Sequence, residues 1–315
     1  MTPDHTPPLD QLIDLLQNKR LVALTGAGCS TDSGIPDYRG PKTRHLARNP
    51  IRYQDYVRTP ETRSRYWLRS SIGWPRMRDT SHNTVHEALA RLESQGILRG
   101  VITQNVDRLH HKAGTRRVIE LHGALHEVIC LECKELEPRD DFQRRLFKLN
   151  PWMPEHLLAR QDQPRIQDAP DGDADLDPTH AMLDTVELPG CRRCLDGMLK
   201  PHVVFFGENV PKERVERAFS LLEEAQALLV LGSSLTVYSG LRFVRRAHEL
   251  GMPIVIVTLG PTRADDLATI KLDAPLAPTL TRLTDALLTS PTHASPHQGP
   301  QTQSSLPDVA DLLKL

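Results

Sequence analysis

Four of the five cysteines come as two close pairs, Cys130-x-x-Cys133 and Cys191-x-x-Cys194. Two pairs with this spacing offer four thiolates, which suit one tetrahedral Zn²⁺ ion with bonds of about 2.3 Å. The alternatives are two redox dithiols or a chance spacing. Because the pattern leaves no open coordination position, we predict one structural zinc ion. We interpret the fifth cysteine, Cys29, as a packing residue, with a nucleophile as the alternative.

A histidine, His122, follows the apolar residues Val118 and Ile119 and precedes Gly123. An imidazole has an unperturbed pKa of about 6.5, so it can accept a proton near neutral pH. We expect His122 at the end of a strand, where Gly123 would leave room for a substrate. A single histidine is more often a packed or a surface side chain. The residue type and its position therefore allow a general base without requiring one.

A glycine-rich segment runs from Thr25 to Arg39, with the sequence TGAGCSTDSGIPDYR. After an apolar strand, Gly26 and Gly28 would let backbone amides approach a pyrophosphate, and a following helix N-terminus would favour its negative charge. A tight strand-to-helix turn is the alternative, because the third glycine of the usual fingerprint is missing. Asp37 and Arg39 are unusual choices for a mere connector, and they could contact a ribose or a phosphate.

Alternating strands and helices are predicted to position these groups. The predicted strands are 21–25, 100–103, 227–231 and 253–258, and the predicted helices include 9–19 and 84–95. Strands that alternate with helices imply parallel pairing. The expected fold class is therefore α/β, a Rossmann-like doubly wound parallel sheet with a smaller inserted domain that combines a zinc ribbon and a helical module.

Polar residues follow the ends of these strands. The residues Gln104, Asn105 and Asp107 come directly after the second strand, and a Gly-Ser-Ser segment, 232–234, follows the third. Open α/β sheets bind their ligands at the carboxyl ends of the strands. We therefore expect 232–234 to form a second loop for a phosphate or a ribose.

The predicted domain organisation is discontinuous. Residues 9–41, 82–129 and 199–285 form the Rossmann-like domain, residues 42–81 a helical module for the cofactor and substrate pocket, and residues 130–198 the zinc-binding module. The zinc-binding module carries a long insertion, in which 161–177 is expected to be a mobile loop. Residues 1–8 are predicted to be flexible, and 286–315 to form a disordered tail.

The composition excludes several classes of protein. A net charge of −1 and 4% aromatic residues offer neither a basic field nor a stacking surface for nucleic acid. No apolar run approaches the roughly 20 residues that cross a bilayer, and the N-terminus lacks the pattern of a signal peptide. We expect a cytoplasmic protein that binds neither nucleic acid nor membrane. The sequence does not give the oligomeric state, and we favour a monomer.

The glycine-rich segment resembles the sirtuin signature GAG-x-S-x-x-SGIPD-[FY]-R. Four further segments resemble sirtuin motifs, in the same order along about residues 9–283, namely TQNVD at 103–107, ELHG at 120–123, KPHVVFFGE at 200–208 and GSSL at 232–235. The resemblance implies an NAD-dependent protein-lysine deacylase, which transfers the acyl group to ADP-ribose and releases nicotinamide. It also implies that acyl-lysine proteins are the substrates.

The resemblance assigns roles to individual residues. It makes His122 the general base, with Asn105 and Asp107 holding the ribose and the nicotinamide amide. Many sirtuins have Asn where Thr258 stands, so a ribose contact at that position is an open point. The expected NAD contacts are Gly26, Ala27, Gly28, Ser30, Asp37, Tyr38, Arg39, Gln104, Asn105, Val106, Asp107, Gly232, Ser233, Ser234, Thr258, Leu259, Gly260 and Leu276.

The resemblance also implies a substrate channel. The residues expected to border it and to pair with a substrate peptide are Val204, Phe205, Phe206, Gly207, Glu208 and Val237. Tyr66 and Arg69 would share a helix face and bind an acidic acyl end, as Tyr-x-x-Arg does in the class II, mitochondrial-type subgroup. An ordinary buried strand and a solvated surface pair are the alternatives for these two segments.

Two other functions share these residues. A protein mono-ADP-ribosyltransferase would use the same NAD contacts with a different acceptor, and a non-catalytic NAD sensor would need only the binding loops and the zinc module. His122 beside a complete Gln104-Asn-x-Asp107 segment favours an enzyme, because binding alone does not require a base.

Overall fold

The computed structural model describes residues 9–38, 43, 50–154 and 180–289. Several predictions therefore lie outside the described residues: the flexible segment 1–8, the role of Arg39, the loop 161–177 and the tail from 290 onward. Within the described ranges, no helix combines the length and the apolar character that crossing a membrane requires.

Helices and strands alternate along most of the chain. The ten helices of the described residues are α1 Leu9–Leu16, α2 Tyr53–Arg58, α3 Pro60–Asp79, α4 Thr84–Ser94, α5 Leu109–Lys112, α6 Arg139–Leu149, α7 His180–Asp184, α8 Lys212–Glu223, α9 Tyr238–Glu249 and α10 Leu276–Thr289. The nine strands of the same residues are β1 Leu21–Thr25, β2 Leu98–Thr103, β3 Val118–Glu120, β4 Gly123–Cys130, β5 Leu136–Pro138, β6 Leu199–Val203, β7 Ala227–Leu231, β8 Ile254–Val257 and β9 Ile270–Leu272.

The larger sheet has six strands in the order β3-β2-β1-β7-β8-β9. Every neighbouring pair in it is parallel, which confirms the predicted fold class. Alternate residues of the central strands enter two different cores. In β1, Leu21 and Ala23 pack against α1, α4 and α10, whereas Val22 and Leu24 face the core beneath α8 and α9. Both faces are therefore covered by helices, as in a doubly wound sheet.

The order of the strands reverses between β1 and β7, since the chain builds outward from β1 in one direction and from β7 in the other. Loops on either side of such a switch point diverge and leave a crevice at the carboxyl ends of the strands. The glycine-rich segment after β1 and the Gly-Ser-Ser loop after β7 both begin there.

A second, antiparallel sheet has the order β5-β4-β6. This sheet includes residues 123–129 and 199–203, which the predicted organisation assigned to the Rossmann-like domain. The structure pairs β4 with β6 instead, from Gly123 opposite Val203 to Cys130 opposite Leu199. An apolar strand pattern does not reveal its partner, so the sequence could not show which sheet these residues join.

The predicted helical module is present in α2 and α3. α3 begins with Pro60 in its first turn, where a missing N–H is harmless, and it packs on α6 through Trp67 and Phe142. At the other end of the chain, the predicted tail begins too early. α10 continues to Thr289, because Leu287 is buried in the core beneath α4.

Candidate active site

A cleft of about 760 Å³ opens at the switch point of the large sheet. Every described residue of the predicted NAD set lines it, together with His122 and the predicted substrate residues 204–208 and Val237. Tyr66 also lines the cleft, but Arg69 does not. The structure therefore brings together residues that lie more than 200 positions apart in the sequence. Of the predicted substrate residues, only Arg69 is outside the lining of the cleft.

The two glycine loops touch at the floor of the cleft. The backbone N–H of Gly28 donates to the carbonyl oxygen of Gly232 over 2.9 Å. A Cβ atom on Gly26 would lie 2.8 Å from that oxygen, and one on Gly28 would lie 2.8 Å from the Cα of Gly232. These glycines are therefore required by the close approach of two backbones, which creates a groove free of side chains.

A buried carboxylate fixes the first loop. Asp107 is 3% exposed, and its two oxygens accept hydrogen bonds from the Ser30 hydroxyl at 2.6 Å and from the Leu109 N–H at 2.9 Å. Burial raises the pKa of Asp107. The side-chain amide of Asn105 donates to the Gly26 carbonyl at 3.0 Å and lies 3.1 Å from the Ser30 hydroxyl. Asp107 and Asn105 thus fix the conformation of the glycine-rich loop through Ser30 and Gly26, and both residues also line the cleft.

His122 is held at both ring nitrogens. Its Nδ1 lies 2.9 Å from the carbonyl oxygen of Gln104, and its Nε2 lies 2.8 Å from the hydroxyl of Ser239. Burial lowers the pKa of His122 to about 4, so the ring is neutral at pH 7. A neutral imidazole at the edge of a cleft is able to accept a proton.

The glycine after His122 has a different purpose from the one predicted. Gly123 has a φ of +79°, and a Cβ atom there would overlap the backbone carbonyl of His202 on the neighbouring strand β6. The residue is small because two backbones meet, and not because it leaves room for a substrate. The close contact between these backbones also places His122 beside the segment after β6, where the Val204 N–H donates to the His122 carbonyl oxygen at 2.8 Å.

A buried lysine shapes the segment after β6. The ammonium of Lys200, whose side chain is 3% exposed, donates to the carbonyls of Pro201 and Val203 and lies 3.1 Å from a Glu208 carboxylate oxygen. That carboxylate also accepts the Phe205 N–H at 2.9 Å. Sequence reasoning did not assign a role to Lys200, although a lysine inside a buried strand pattern is a signal, because a buried ammonium needs several partners.

Aromatic rings form the wall at this end of the cleft. The ring of Tyr66 lies 5.3 Å from that of Phe205 and 5.7 Å from that of the buried Tyr56. Ile51 completes the lining nearby, whereas Arg69 lies part-exposed elsewhere on α3. The described side chains of this wall are therefore aromatic and aliphatic, and Arg69 is not among the residues that line the cleft.

The four paired cysteines lie together, outside the lining of the cleft. Their sulfur atoms are all within 4.8 Å of one another, and the Cys130–Cys194 and Cys133–Cys191 pairs are each separated by 3.6 Å. Bonds of about 2.3 Å in tetrahedral geometry place sulfurs about 3.8 Å apart, so the site fits one zinc ion. A Cβ on Gly197 would overlap two of the sulfurs, which explains the glycine. None of these cysteines lines the cleft, which indicates a structural metal.

Cys29 is separate from that site. Its thiol is 1% exposed and lies 3.4 Å from the Leu231 carbonyl oxygen. Burial raises the pKa of the Cys29 thiol, which disfavours the thiolate that a nucleophile requires. Its surroundings support the packing role.

Comparison with known proteins agrees with this arrangement. The model of the Sir2 family matches residues 26–239. An NAD-dependent protein deacetylase of Xanthomonas campestris pv. campestris (strain 8004) is 48% identical over 274 residues, which cover 87% of this chain and 89% of that protein. The mitochondrial NAD-dependent protein lipoamidase sirtuin-4 of Bos taurus is 46% identical over 279 residues, covering 87% and 84%.

Solved structures give the same result. A complex described as Sir2, p53 peptide and NAD+ superposes with a TM-score of 0.66 at 31% identity, covering 89% of this chain and 98% of that one. The match to the Sir2 family, over residues 26–239, spans the glycine loops, His122 and both cysteine pairs. The chain belongs to the Sir2 family, the sirtuins.

Proposed function

We propose that His122 is the general base of this enzyme, acting at a cleft that binds NAD on one side and an acyl-lysine peptide on the other. The chain is an NAD-dependent protein deacylase by its family and its relatives. The observation that carries the proposal is the position of the His122 ring, which lines the same cleft as the glycine loops and the segment after β6.

The cleft beside the two glycine loops fits a dinucleotide. Gly26 and Gly28 let the backbones of the two loops meet at its floor, at the carboxyl ends of the strands, where an α/β sheet binds a pyrophosphate. NAD supplies the ribose carbon that accepts the acyl oxygen of the lysine, and the nicotinamide that leaves. The loop held by Asp107 and Asn105 orients that ribose toward His122.

The role of His122 follows from its protonation state. Because the ring is neutral, Nε2 can accept the proton of a ribose hydroxyl after nicotinamide has left. Water then completes the transfer of the acyl group, which yields free lysine and O-acyl-ADP-ribose, so that the enzyme is a transferase as well as a deacylase. The backbone of 204–208 and of Val237 serves as the edge that a substrate peptide joins as an added strand.

The aromatic wall suggests the range of acyl groups. Tyr66, Phe205 and Ile51 offer apolar contacts to acetyl and to longer chains, and one relative, the sirtuin-4 of Bos taurus, is named a lipoamidase. The class II, mitochondrial-type subgroup is a part of the proposal that rests on the sequence motifs. Acidic acyl groups would need Arg69 to reach the cleft. Hydrolysis of acetyl, lipoyl, succinyl and glutaryl peptides by the wild type and by Arg69→Met decides this point. A preference for acidic groups that Arg69→Met abolishes would establish the charged pocket.

Product analysis tests the reaction itself. With NAD and an acyl peptide, we expect the purified protein to release nicotinamide and to form O-acyl-ADP-ribose, and His122→Ala to lose deacylation while it keeps its fold by circular dichroism. ADP-ribosylated protein without O-acyl-ADP-ribose would instead establish the transferase alternative, which the relatives do not favour. Undiminished turnover of His122→Ala would refute the assignment of the base.

The place of action is a further part of the proposal. Four thiolates that bind a metal persist in a reducing compartment, and this supports the cytoplasm.

A further inference from the structure

The two contacts of His122 determine which ring nitrogen carries the proton. A backbone carbonyl can only accept a hydrogen bond, so the Nδ1 that lies 2.9 Å from the Gln104 oxygen must be the protonated nitrogen. In the neutral ring, Nε2 is therefore an acceptor. The hydroxyl of Ser239, at 2.8 Å, is the donor that it faces.

We propose that Ser239 is the positioning residue of the general base. Its hydroxyl donates to Nε2 of the neutral His122 ring before substrates bind, rotates away when the ribose hydroxyl donates to that nitrogen, and accepts from Nε2–H once the ring has taken the proton. This inference rests on the proposed function of the same site. Ser239 acts through His122, and its hydroxyl can rotate between the two roles without movement of the backbone.

The local structure is built around this contact. Ser239 lies in the first turn of α9 and is 8% exposed, while Leu241 and Phe243 anchor that helix in the core. The next residue, Gly240, packs on the side chain of Gln104, where a Cβ would lie 2.5 Å from Nε2 of that glutamine. The Gln104 carbonyl oxygen in turn holds Nδ1 of His122. The ring is thus fixed at both nitrogens, by the carbonyl of Gln104 and by α9.

The hydroxyl matters most after proton transfer. Burial lowers the pKa of His122, and the positive charges of Arg214 and Arg242 lower it further. An imidazolium in such a place is stabilised by a hydrogen-bond acceptor for Nε2–H, because desolvation and the two arginines disfavour its charge. A hydrogen bond to a charged group is stronger than one between neutral groups, so the loss of this acceptor should slow the step in which the base is protonated.

The test compares Ser239→Ala and Ser239→Thr with Ser220→Ala, a matched removal of a hydroxyl on the exposed face of α8. We expect Ser239→Ala to lower the turnover of deacylation by about 10- to 100-fold and Ser239→Thr to restore most of it. Nicotinamide exchange needs only the step before the base acts, so it should stay within about twofold of the wild type. The KM values for NAD and peptide should also be unchanged, and the melting temperature should fall by no more than a few degrees, as the loss of one hydrogen bond implies.

Nitrogen-15 NMR of histidine-labelled protein provides a readout that needs no activity, with the resonances of His122 assigned from His122→Gln. We expect a protonated Nδ1 in the wild type and a downfield shift of Nε2 in Ser239→Ala, since an acceptor nitrogen loses its donor. An unchanged Nε2 resonance, equal losses of exchange and deacylation, or full deacylation by Ser239→Ala would each overturn the inference. A wild type that shows the NMR contact but neither reaction would contradict the proposed function alone.

Discussion

Acid should destabilise this fold through a buried histidine, His86, which lies on α4 away from the cleft. Its side chain is fully buried, its ring centroid is 4.8 Å from that of His110, and its Nε2 has no hydrogen-bond partner among the described residues. Burial, together with the nearby His82, lowers the pKa of His86 to about 4. In the unfolded chain the same group has a pKa of about 6.5.

The size of the effect follows from this difference. Above about pH 6.5 the His86 ring is neutral in both the folded and the unfolded state, so its full contribution to stability is present. Between about pH 6.5 and about pH 4 the ring is protonated in the unfolded state only, and this stabilises the unfolded state. Each pH unit in that window removes about 1.4 kcal/mol, so the free energy of unfolding should fall by about 2 kcal/mol between pH 7 and pH 5 through this residue alone.

His86→Gln isolates that contribution. The His86 ring accepts the N–H of Asn83 in the capping box of α4, and glutamine is a usual residue at this position of the box. The free energy of unfolding is measured by urea denaturation at pH 7, 6 and 5, followed by tryptophan fluorescence. Between pH 7 and pH 5 it should fall by about 2 kcal/mol less in His86→Gln than in the wild type. Both proteins keep the same four paired cysteines, so any pH dependence of zinc binding cancels in the comparison.

An exposed histidine on α9, His248, provides the control, because water solvates its side chain in both states. The free energy of unfolding of His248→Gln should fall between pH 7 and pH 5 by the same amount as that of the wild type. If the free energy of unfolding of His86→Gln also falls by the same amount as that of the wild type, then burial does not keep the His86 ring neutral and the proposed origin of the acid sensitivity is refuted.

Two further predictions concern the loops and the metal. Gly28→Ala places a Cβ 2.8 Å from the Gly232 backbone, which cannot move aside as a side chain can; we expect a loss of about 1–3 kcal/mol in stability and weaker NAD binding by calorimetry. Unchanged NAD affinity would contradict the close approach. Cys133→Ser should lower both the zinc content by atomic emission and the melting temperature, while Cys29→Ala keeps its zinc. Equal zinc in both variants would exclude the four-cysteine site.

The sequence was sufficient for the elements whose pattern is local. The strands Leu21–Thr25 and Ala227–Leu231 were predicted with the bounds that the structure shows, because each is a short apolar run bounded by a glycine or a polar turn. The metal ligands were predicted from spacing, since a Cys-x-x-Cys turn by itself sets the distance between two sulfurs. The five motifs that follow one another in the order found in sirtuins predicted the family, and with it the residues that line the cleft.

Long-range partners were beyond this reasoning. The sequence did not show that β4 and β6 pair in a second sheet, or that the last helix runs to Thr289. The role of Arg69 in binding an acidic acyl end stays a prediction. The sequence also showed no link between Ser239 and His122, because a serine near a tyrosine and a glycine carries no signal for a histidine 117 positions away.

The sequence by itself determined the strands, the four thiolates and the chemical groups available for catalysis, since these depend on residue types and on neighbours along the chain. Only the tertiary structure decided what holds those groups. The neutral state of His122, its protonated Nδ1 and the bracing of the glycine loop by Asp107 all arise from burial and from contacts across the sheet. Desolvation and hydrogen bonding depend on which atoms are close in space, and a linear pattern does not record that.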